Sequence, residues 1–374
     1  MARFRDTESE SRAVNALGQR IARLIEAQGP LSVAQFMTIA LHDPQGGYYA
    51  TRDPFGAPKN DKGGDFITAP EISQMFGELL GLWIVQCWHD QGKPLARLVE
   101  LGPGRGTLMA DALRAARLMP EFLSRVEVVM VEISPALTAI QKETLKDSGA
   151  AIRWTTQIED ALDGRAIFLL ANEFFDALPI RQFVKTERGW CERMVVLDEN
   201  GALTFALSPE PSALAIARSG APLGGFYESA QASTALAEQI GGAIAQNGGA
   251  ALIVDYGYGA EAGFGETLQA VGDHKFASVL ETPGDVDLSA HVDFAALAEA
   301  AQSGGAVACG PVGQGELLEK LGIVARGERL IERNPSAMHD ITRAVERLIL
   351  PGGMGTLFKA LAIVPPGSPK PPGF

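Results

Sequence analysis

The chain of 374 residues is predicted to adopt an α/β fold with a Rossmann-like core and a mainly parallel sheet. Three observations predict this class. The composition, 46% hydrophobic and 21% charged, is typical of a globular protein with a large core. Between residues 95 and 171, short apolar runs alternate with segments of helical periodicity. A glycine-rich loop follows the first of these runs and precedes a helix, which is where such folds place their ligand.

The first 90 residues are predicted to form an N-terminal helical cap. Apolar residues recur at helical spacing over residues 11–42 and again over residues 73–90. The stretch between them, residues 43–70, is crowded with Gly, Pro, Asp and aromatic side chains. A loop of this length inside a compact protein is usually functional or mobile.

Residues 91–364 are predicted to form the core, with additions in a loop and toward the C-terminus. The predicted strands are 97–101, 126–131, 152–155, 166–171, 250–255 and 357–363, and the predicted helices are 108–118, 135–146, 230–245, 294–301 and 337–348. Three β-rich pieces after residue 179 predict a meander inserted at about residues 181–228. The Pro-rich tail, residues 365–374, is predicted to be flexible.

Composition and charge exclude several classes of partner. A formal net charge of −13 makes nucleic acid an unlikely ligand, because nucleic-acid binding neutralises phosphates with Lys and Arg. No apolar run approaches the roughly 18 residues that a membrane span needs, so no membrane insertion is expected. The three cysteines and five histidines lack metal-ligand spacing, so no metal site is predicted. The first ten residues lack the apolar run of a signal peptide, so a cytoplasmic location is expected.

The sharpest motif is the loop Glu100-Leu-Gly-Pro-Gly-Arg-Gly-Thr107 at the end of a predicted strand. Glycine lets the backbone turn tightly and brings main-chain N–H groups close to a ligand at a helix N-terminus. The spacing G-x-G-x-G differs from the G-x-G-x-x-G of dinucleotide sites, so NAD fits poorly. A purely structural turn remains the alternative. The cofactor ligands predicted here are Glu100, Gly102, Pro103, Gly104, Gly106 and Thr107.

Two later strands end in further candidate ligands. Glu132, with Ile133 and Ser134 after it, ends the second strand, and its carboxylate is predicted to accept both hydroxyls of a cofactor ribose. Gln157 and Ile158 follow the third strand, where folds of this kind usually contact the adenine of their cofactor. Gln157 is predicted to bind the adenine amine, and Ile158 is predicted to cover the ring. The neighbouring acids Glu159 and Asp160 have another explanation, since acidic side chains favour the first turn of a helix.

The segment Asn172-Glu-Phe-Phe-Asp176 follows the fourth strand and is predicted to be catalytic. Asn172 is also a candidate cofactor ligand. If the substrate is an arginine, Glu173 and Asp176 could hold its guanidinium and leave one nitrogen free to attack. In the alternative, Asn172 and Asp176 only cap the next helix. Two other acidic loops, residues 255–258 and 284–294, are candidates for the same cleft.

Together these segments resemble the MidA-like family of class I methyltransferases, which includes a mitochondrial protein-arginine methyltransferase that assists assembly of respiratory complex I. The resemblance covers roughly residues 30–360 and includes Gly64-Asp-Phe-Ile-Thr68-Ala-Pro-Glu-Ile-Ser73. It implies S-adenosyl-L-methionine as cofactor and a protein substrate, which for the mitochondrial members is a subunit of complex I. It also implies that the segment from Gly64 through Asp65 and Thr68 to Glu71 folds over the cofactor.

Three other functions remain open on the sequence alone. A non-catalytic assembly factor could retain the cofactor as a structural ligand, although the intact acids Glu173 and Asp176 favour catalysis. A small-molecule methyltransferase would have a closed apolar pocket in place of an acidic groove. An NAD-dependent oxidoreductase is disfavoured by the glycine spacing. His291 could serve as a base, but a lone histidine before a helix is more often a capping or core group. The sequence leaves the oligomeric state open.

Overall fold

The computed structural model describes residues 15–51, 68–162, 164–213, 220–259, 263–272 and 275–374. Its strands are β1 Leu31–Ser32, β2 Ala96–Leu101, β3 Val126–Val131, β4 Ile152–Thr155, β5 Ala166–Asn172, β6 Arg181–Thr186, β7 Gly189–Leu197, β8 Leu203–Pro211, β9 Phe226–Ser229, β10 Gly249–Tyr258, β11 Gln269–Gly272, β12 Lys275–Ala277, β13 Asp287–Ser289, β14 Val292–Asp293, β15 Val307–Gly313 and β16 Phe358–Val364.

The helices lie mainly on the two faces of one large sheet. They are α1 Ala16–Gln28, α2 Val33–His42, α3 Tyr48–Thr51, α4 Ala69–Ile72, α5 Gln74–Asp90, α6 Thr107–Ala116, α7 Pro120–Arg125, α8 Pro135–Leu145, α9 Gln231–Asn247, α10 Phe294–Ser303, α11 Gln314–Lys320, α12 Ile323–Arg333 and α13 Met338–Ile349.

The large sheet has the strand order β15-β16-β10-β5-β2-β3-β4. The five strands from β10 to β4 pair in parallel, and β16 pairs antiparallel with both β10 and β15. Chain order reverses between β2 and β5, so loops from the carboxyl ends of these strands diverge and leave a crevice. The predicted α/β class with a mainly parallel sheet is confirmed.

Burial on both faces explains the sequence of the central strands. β2 is buried along its whole length, including the charged residues Arg97 and Glu100. β5 is buried in all but its last residue and reads as a continuous apolar run up to that residue. One face packs against a cluster that includes Trp83 and Phe122, and the other packs against a cluster that includes Ile240 and Phe294. The predicted limits of strands 126–131 and 152–155 coincide with β3 and β4.

The cap and the inserted meander share one hydrophobic core. β1 pairs antiparallel with β7, and β6 pairs with β7 and β9. Phe36 and Met37 of α2 are fully buried with Ile180 and Val195 in this third cluster. Helix α5 instead contributes to the core of the large sheet. The predicted limit of the cap at residue 90 stays a prediction, and α5 packs with the large sheet although it lies within that limit.

The C-terminal tail is packed against the protein, which contradicts our prediction that residues 365–374 are flexible. The indole Nε1 of Trp83 donates to the carbonyl oxygen of Pro372 at 2.9 Å, and the Phe374 ring lies 6.5 Å from the Trp83 ring in an edge-on geometry. The Lys320 ammonium donates to the carbonyl oxygen of Gly373 at 3.2 Å. Proline and glycine in the tail suggest flexibility by composition, but a buried aromatic partner fixes it.

Candidate active site

A cavity of about 930 Å³ opens at the carboxyl ends of the parallel strands. Its lining brings together most of the segments that the sequence singled out. Predicted site residues that line it are Thr68, Gly102, Gly104, Glu132, Ile133, Gln157, Ile158, Glu173 and Asp176. A volume of this size suits a ligand with the bulk of a nucleoside derivative together with a second reactant.

The glycine loop has the backbone geometry that its sequence predicts. Gly102 and Gly106 have φ angles of 56° and 82°, a region that residues with a Cβ atom rarely adopt. A Cβ atom on Gly102 would lie 2.8 Å from the Phe174 ring, so a side chain there would also displace the catalytic segment. Gly106 caps α6, so the free N–H groups of that helix begin at the loop.

Glu132 lies at the cavity wall in a dense set of hydrogen bonds. Its Oε1 accepts from the backbone N–H of Ser134 at 2.7 Å, and its Oε2 accepts from the Gln141 amide at 3.0 Å. Burial raises the pKa of Glu132, and both hydrogen bonds act in the opposite direction because they favour the charged form. Ser134 itself lies behind Glu132, where its hydroxyl caps α8.

The residues predicted to contact adenine form the rim beside Glu132. Ile133 is 51% exposed although it is a large apolar residue, and it faces the same cavity as Ile158 and Gln157. Such an exposed apolar side chain offers a surface on which a flat ring can lie. Asp160 instead accepts from the Thr155 hydroxyl at 2.5 Å, which agrees with the structural explanation for that acid.

Residues 68–72 tie the cap to the glycine loop. The backbone N–H of Ala69 donates to Glu173 Oε1 at 3.1 Å, and the Thr107 hydroxyl donates to Glu71 Oε1 at 2.6 Å. Thr107 therefore has a protein partner at the start of α6. Gly64 and Asp65, which we predicted to cover the cofactor, lie outside the residues that the structure describes.

A buried carboxyl group holds the segment of residues 172–176, which the sequence predicted to be catalytic. Asp255 Oδ2 accepts from the backbone N–H groups of Phe174, Phe175 and Asp176, at 3.1, 2.9 and 3.2 Å. Its Oδ1 accepts from the backbone N–H of Tyr256 at 2.9 Å. Asp255 is fully buried, so this predicted cleft acid shapes the loop and does not line the cavity.

Glu173 and Asp176 both project into the cavity. Glu173 has a φ angle of +50°, a strained conformation for a residue with a side chain, and strain of this kind clusters at functional sites. Asp176 Oδ2 accepts from the Tyr256 hydroxyl at 2.7 Å. Its buried Oδ1 has no hydrogen-bond partner among the described residues.

The pKa values of both acids are raised toward neutral pH. Burial raises the pKa of Glu173 to about 7, and the neighbouring Asp176 adds to the effect. Burial also raises the pKa of Asp176 to about 6, although the hydrogen bond from Tyr256 acts against it. A carboxyl group in this range exchanges a proton readily at physiological pH.

The opposite wall comes from the cap and from the motif of residues 284–294. Asp287 Oδ1 accepts from the Tyr49 hydroxyl at 2.9 Å, and the His42 and Tyr49 rings stack at 5.8 Å. His291 lines the cavity, and its ring meets Tyr256 edge-on at 5.5 Å. Burial lowers the pKa of His291, so its neutral form is favoured.

Sequence reasoning missed three residues of the site, Tyr49, Gln141 and Arg347, and it gave Tyr256 no role of its own. Tyr256 lies within a loop that the sequence did single out, but its bond to Asp176 depends on the pairing of β10 with β5. Arg347 lines the cavity from α13, and its charge acts to lower the pKa of Glu173. Only Gln141 has a detectable signal, because it is a polar residue on the buried stripe of α8.

The donors and acceptors of the cavity fit S-adenosyl-L-methionine. Of the buried oxygens that have no hydrogen-bond partner among the described residues, three belong to the predicted site: Glu100 Oε2, Asn172 Oδ1 and Asp176 Oδ1. Buried acceptors without partners are costly, so a donor supplied by a ligand would stabilise them. The cofactor carries an ammonium group and two ribose hydroxyls, which are such donors. The open glycine loop leaves room for the backbone to contact them.

The chain has a Rossmann-like sheet with one antiparallel strand, a glycine loop after β2 and, after β3, an acid at the position predicted to bind the ribose. These features define an S-adenosylmethionine-dependent methyltransferase. Residues 79–312 match a family model described as "Putative S-adenosyl-L-methionine-dependent methyltransferase". The match spans well over half of the chain, and the chain belongs to this family. The family resemblance predicted from the sequence and the predicted cofactor are thereby confirmed.

Curated relatives carry a more specific name. The zebrafish (Danio rerio) "Protein arginine methyltransferase NDUFAF7, mitochondrial" is 38% identical, with 95% of this chain and 88% of the relative covered. Its Homo sapiens counterpart is 36% identical, with 91% and 81% covered. A crystal structure of a Burkholderia thailandensis protein bound to S-adenosyl-homocysteine superposes with a TM-score of 0.84 at 30% identity, covering 96% of this chain and 94% of that one.

Among the residues that the structure describes, no helix is long and apolar enough to cross a membrane. Nor do those residues contain a cluster of His, Cys, Asp and Glu side chains able to hold a metal ion.

Proposed function

We propose that this chain is a protein-arginine N-methyltransferase and that its substrate is a subunit of respiratory complex I, the NADH:quinone oxidoreductase. The observation that carries the proposal is the pair Glu173 and Asp176, a half-buried and a buried acid at the cavity wall beside the glycine loop. The names of the curated relatives support arginine as the acceptor. Complex I follows from the family resemblance, and a cytoplasmic location stays a prediction.

The charge distribution of the cavity favours a cationic substrate. Five acids line it, Glu132, Glu159, Glu173, Asp176 and Asp287, against Arg347 as its single Arg or Lys among the described residues. A guanidinium can donate to two carboxylates at once because its N–H groups lie in a fixed plane. The net charge of −13 adds a long-range attraction for a basic protein segment.

The acids also explain how a guanidinium could become a nucleophile. S-adenosyl-L-methionine, when bound, supplies a methyl group on a positively charged sulfonium. Asp176 Oδ2 is occupied by the Tyr256 hydroxyl, which leaves Oδ1 to accept from the substrate. Holding the charge of the guanidinium on one side leaves electron density on the opposite nitrogen. Each transfer releases one proton, and an acid with a pKa of about 6 or 7 can accept it.

Transfer of radioactive methyl groups tests the proposal. The purified chain would be incubated with methyl-tritiated S-adenosyl-L-methionine and complex I from a strain that lacks this gene, and labelled subunits would be analysed for methylarginine. We expect labelling by the wild type and by the control Asp147→Asn, which alters an exposed residue outside the cavity. Asp176→Asn should lose labelling yet keep its affinity for S-adenosyl-homocysteine, whereas Glu132→Ala should lose both.

Each outcome separates a different class of function. Label on a lysine or on small metabolites would refute an arginine acceptor. Label on arginines of other proteins would refute complex I alone. Tight binding of S-adenosyl-homocysteine without any transfer would indicate an assembly factor that retains the cofactor as a structural ligand.

A further inference from the structure

The Gln141 side chain connects the two halves of the cofactor site. It is fully buried on α8, between the glycine loop and the carboxylate after β3. Its Nε2 donates to the carbonyl oxygen of Gly104 at 2.8 Å and to Glu132 Oε2 at 3.0 Å. Its Oε1 accepts from the indole Nε1 of Trp154 at 3.0 Å. One amide group thus links strands β2, β3 and β4 at their carboxyl ends.

Chemistry allows only one orientation of this amide. The indole N–H of Trp154 can only donate, so the amide oxygen must face it. The carbonyl of Gly104 can only accept, so the amide nitrogen must face the loop. A rotated amide would place two donors against each other at Trp154 and two acceptors at Gly104. Trp154 therefore directs both N–H groups of Gln141 toward Gly104 and Glu132.

This orientation fixes what Glu132 can do. A hydrogen bond from Gln141 to Oε2 and one from Ser134 to Oε1 favour the charged carboxylate against the effect of its burial. Each oxygen can accept more than one hydrogen bond, so Glu132 keeps acceptor capacity toward the cavity. The same amide holds the Gly104 backbone, so the loop and the carboxylate keep a fixed separation.

We propose that Gln141, oriented by Trp154, is a positioning residue that sets the affinity of the site for S-adenosyl-L-methionine by presenting Glu132 to the ribose. The inference rests on cofactor binding and on Glu132 as the ribose acceptor. It does not depend on the identity of the methyl acceptor.

Calorimetric titration with S-adenosyl-homocysteine tests the proposal without any methyl acceptor. Gln141→Glu conserves shape but directs an oxygen at Glu132 and at the Gly104 carbonyl, so we expect affinity about tenfold to a hundredfold lower. Trp154→Phe removes the donor that orients the amide, together with part of the indole ring, and should cost about fivefold. Trp190→Phe, at a buried tryptophan of the second sheet, should leave affinity within about twofold.

A double-mutant cycle distinguishes positioning from general loss of packing. The effect of Trp154→Phe should disappear in a Gln141→Met background, because the amide that it orients is then absent. A matched control is Gln182→Glu, since Gln182 is also fully buried and also donates to an acid, Glu228, outside the cofactor cavity. That variant should unfold at lower urea concentration while its affinity for S-adenosyl-homocysteine is unchanged.

The outcomes identify which step fails. If wild type does not bind S-adenosyl-homocysteine, the cofactor assignment is wrong and the inference fails with it. If Glu132→Ala binds normally, Glu132 is not the ribose acceptor, which also overturns the inference. If Glu132→Ala loses binding but Gln141→Glu and Trp154→Phe do not, Gln141 has no positioning role. Trp154→Phe keeps the test valid if Gln141→Glu fails to fold.

Discussion

Replacing Glu173 with glutamine should stabilise the protein at alkaline pH. Burial raises the pKa of Glu173 from 4.5 to about 7, so the folded protein holds this proton more tightly than the unfolded chain does. Below pH 4.5 the acid is neutral in both states. As pH rises from 4.5 through 7, the unfolded state loses the proton first and the folded state loses stability. The shift corresponds to about 3 kcal/mol once the group is fully ionised.

Glutamine resembles the neutral acid in this position. Its amide oxygen can still accept from the backbone N–H of Ala69 and from the Asn172 amide, as Glu173 Oε1 does at 3.1 and 3.2 Å. The variant should therefore match wild type near pH 4.5 and exceed it by about 3 kcal/mol at pH 8. It should also lose methyl transfer, because a neutral amide cannot balance the charge of a guanidinium.

Urea unfolding at a series of pH values measures this effect. The free energy of unfolding would be determined without cofactor from pH 5 to pH 8 for wild type, Glu173→Gln and the control Glu210→Gln, at an exposed position. The gap between the first two should widen by about 2–3 kcal/mol across this range. Parallel curves for wild type and Glu173→Gln would refute the reasoning, because they would mean that Glu173 ionises as easily in the folded protein as in the unfolded chain.

Three further substitutions test other parts of the structure. Gly102→Ala should lower the unfolding free energy by about 1–2 kcal/mol and weaken binding of S-adenosyl-homocysteine. The control is Gly201→Ala, which is also at positive φ but has open space around it, and it should lower stability without changing binding. Asp255→Ala removes the acceptor of four backbone N–H groups, so the free energy of unfolding in urea should fall by about 3 kcal/mol or more. A smaller fall would mean that these N–H groups find other acceptors. Phe374→Ala should cost about 1–2 kcal/mol and shift the Trp83 fluorescence to longer wavelength, and an unchanged spectrum would show that the tail is not docked in solution.

The core could be predicted from the sequence because its strands are buried on both faces. The run over 166–171 is apolar throughout, and the run over 126–131 is apolar except for Glu127. Both predict buried strands, and β3 and β5 lie within a residue of the predictions. The edge strand β15 of the large sheet was not predicted from the sequence. β15 contains Gly310 and Pro311 and is partly exposed, so its sequence lacks a strand pattern, and it exists because β16 pairs with it.

The site was predictable where residue type and spacing carry the chemistry. The glycine loop and the acids at 132, 173 and 176 can be read locally, because each follows a predicted strand. Partners brought together by the fold could not be read this way, for example Tyr256 with Asp176. Gln141 is intermediate, since it lies between Leu137 and Leu145 on the one buried stripe of α8, where an apolar residue would be expected.

The position of β16 in the sheet constrains the order in which the protein can form during synthesis. Residues 358–364 insert between β10 and β15, so the strand that completes the sheet leaves the ribosome after both of its neighbours. Until then, β10 exposes an unpaired edge that also carries the support of the catalytic segment, Asp255. A nascent chain therefore carries every residue of the glycine loop well before it can close the sheet, and the edge of β10 stays open until β16 has been synthesised.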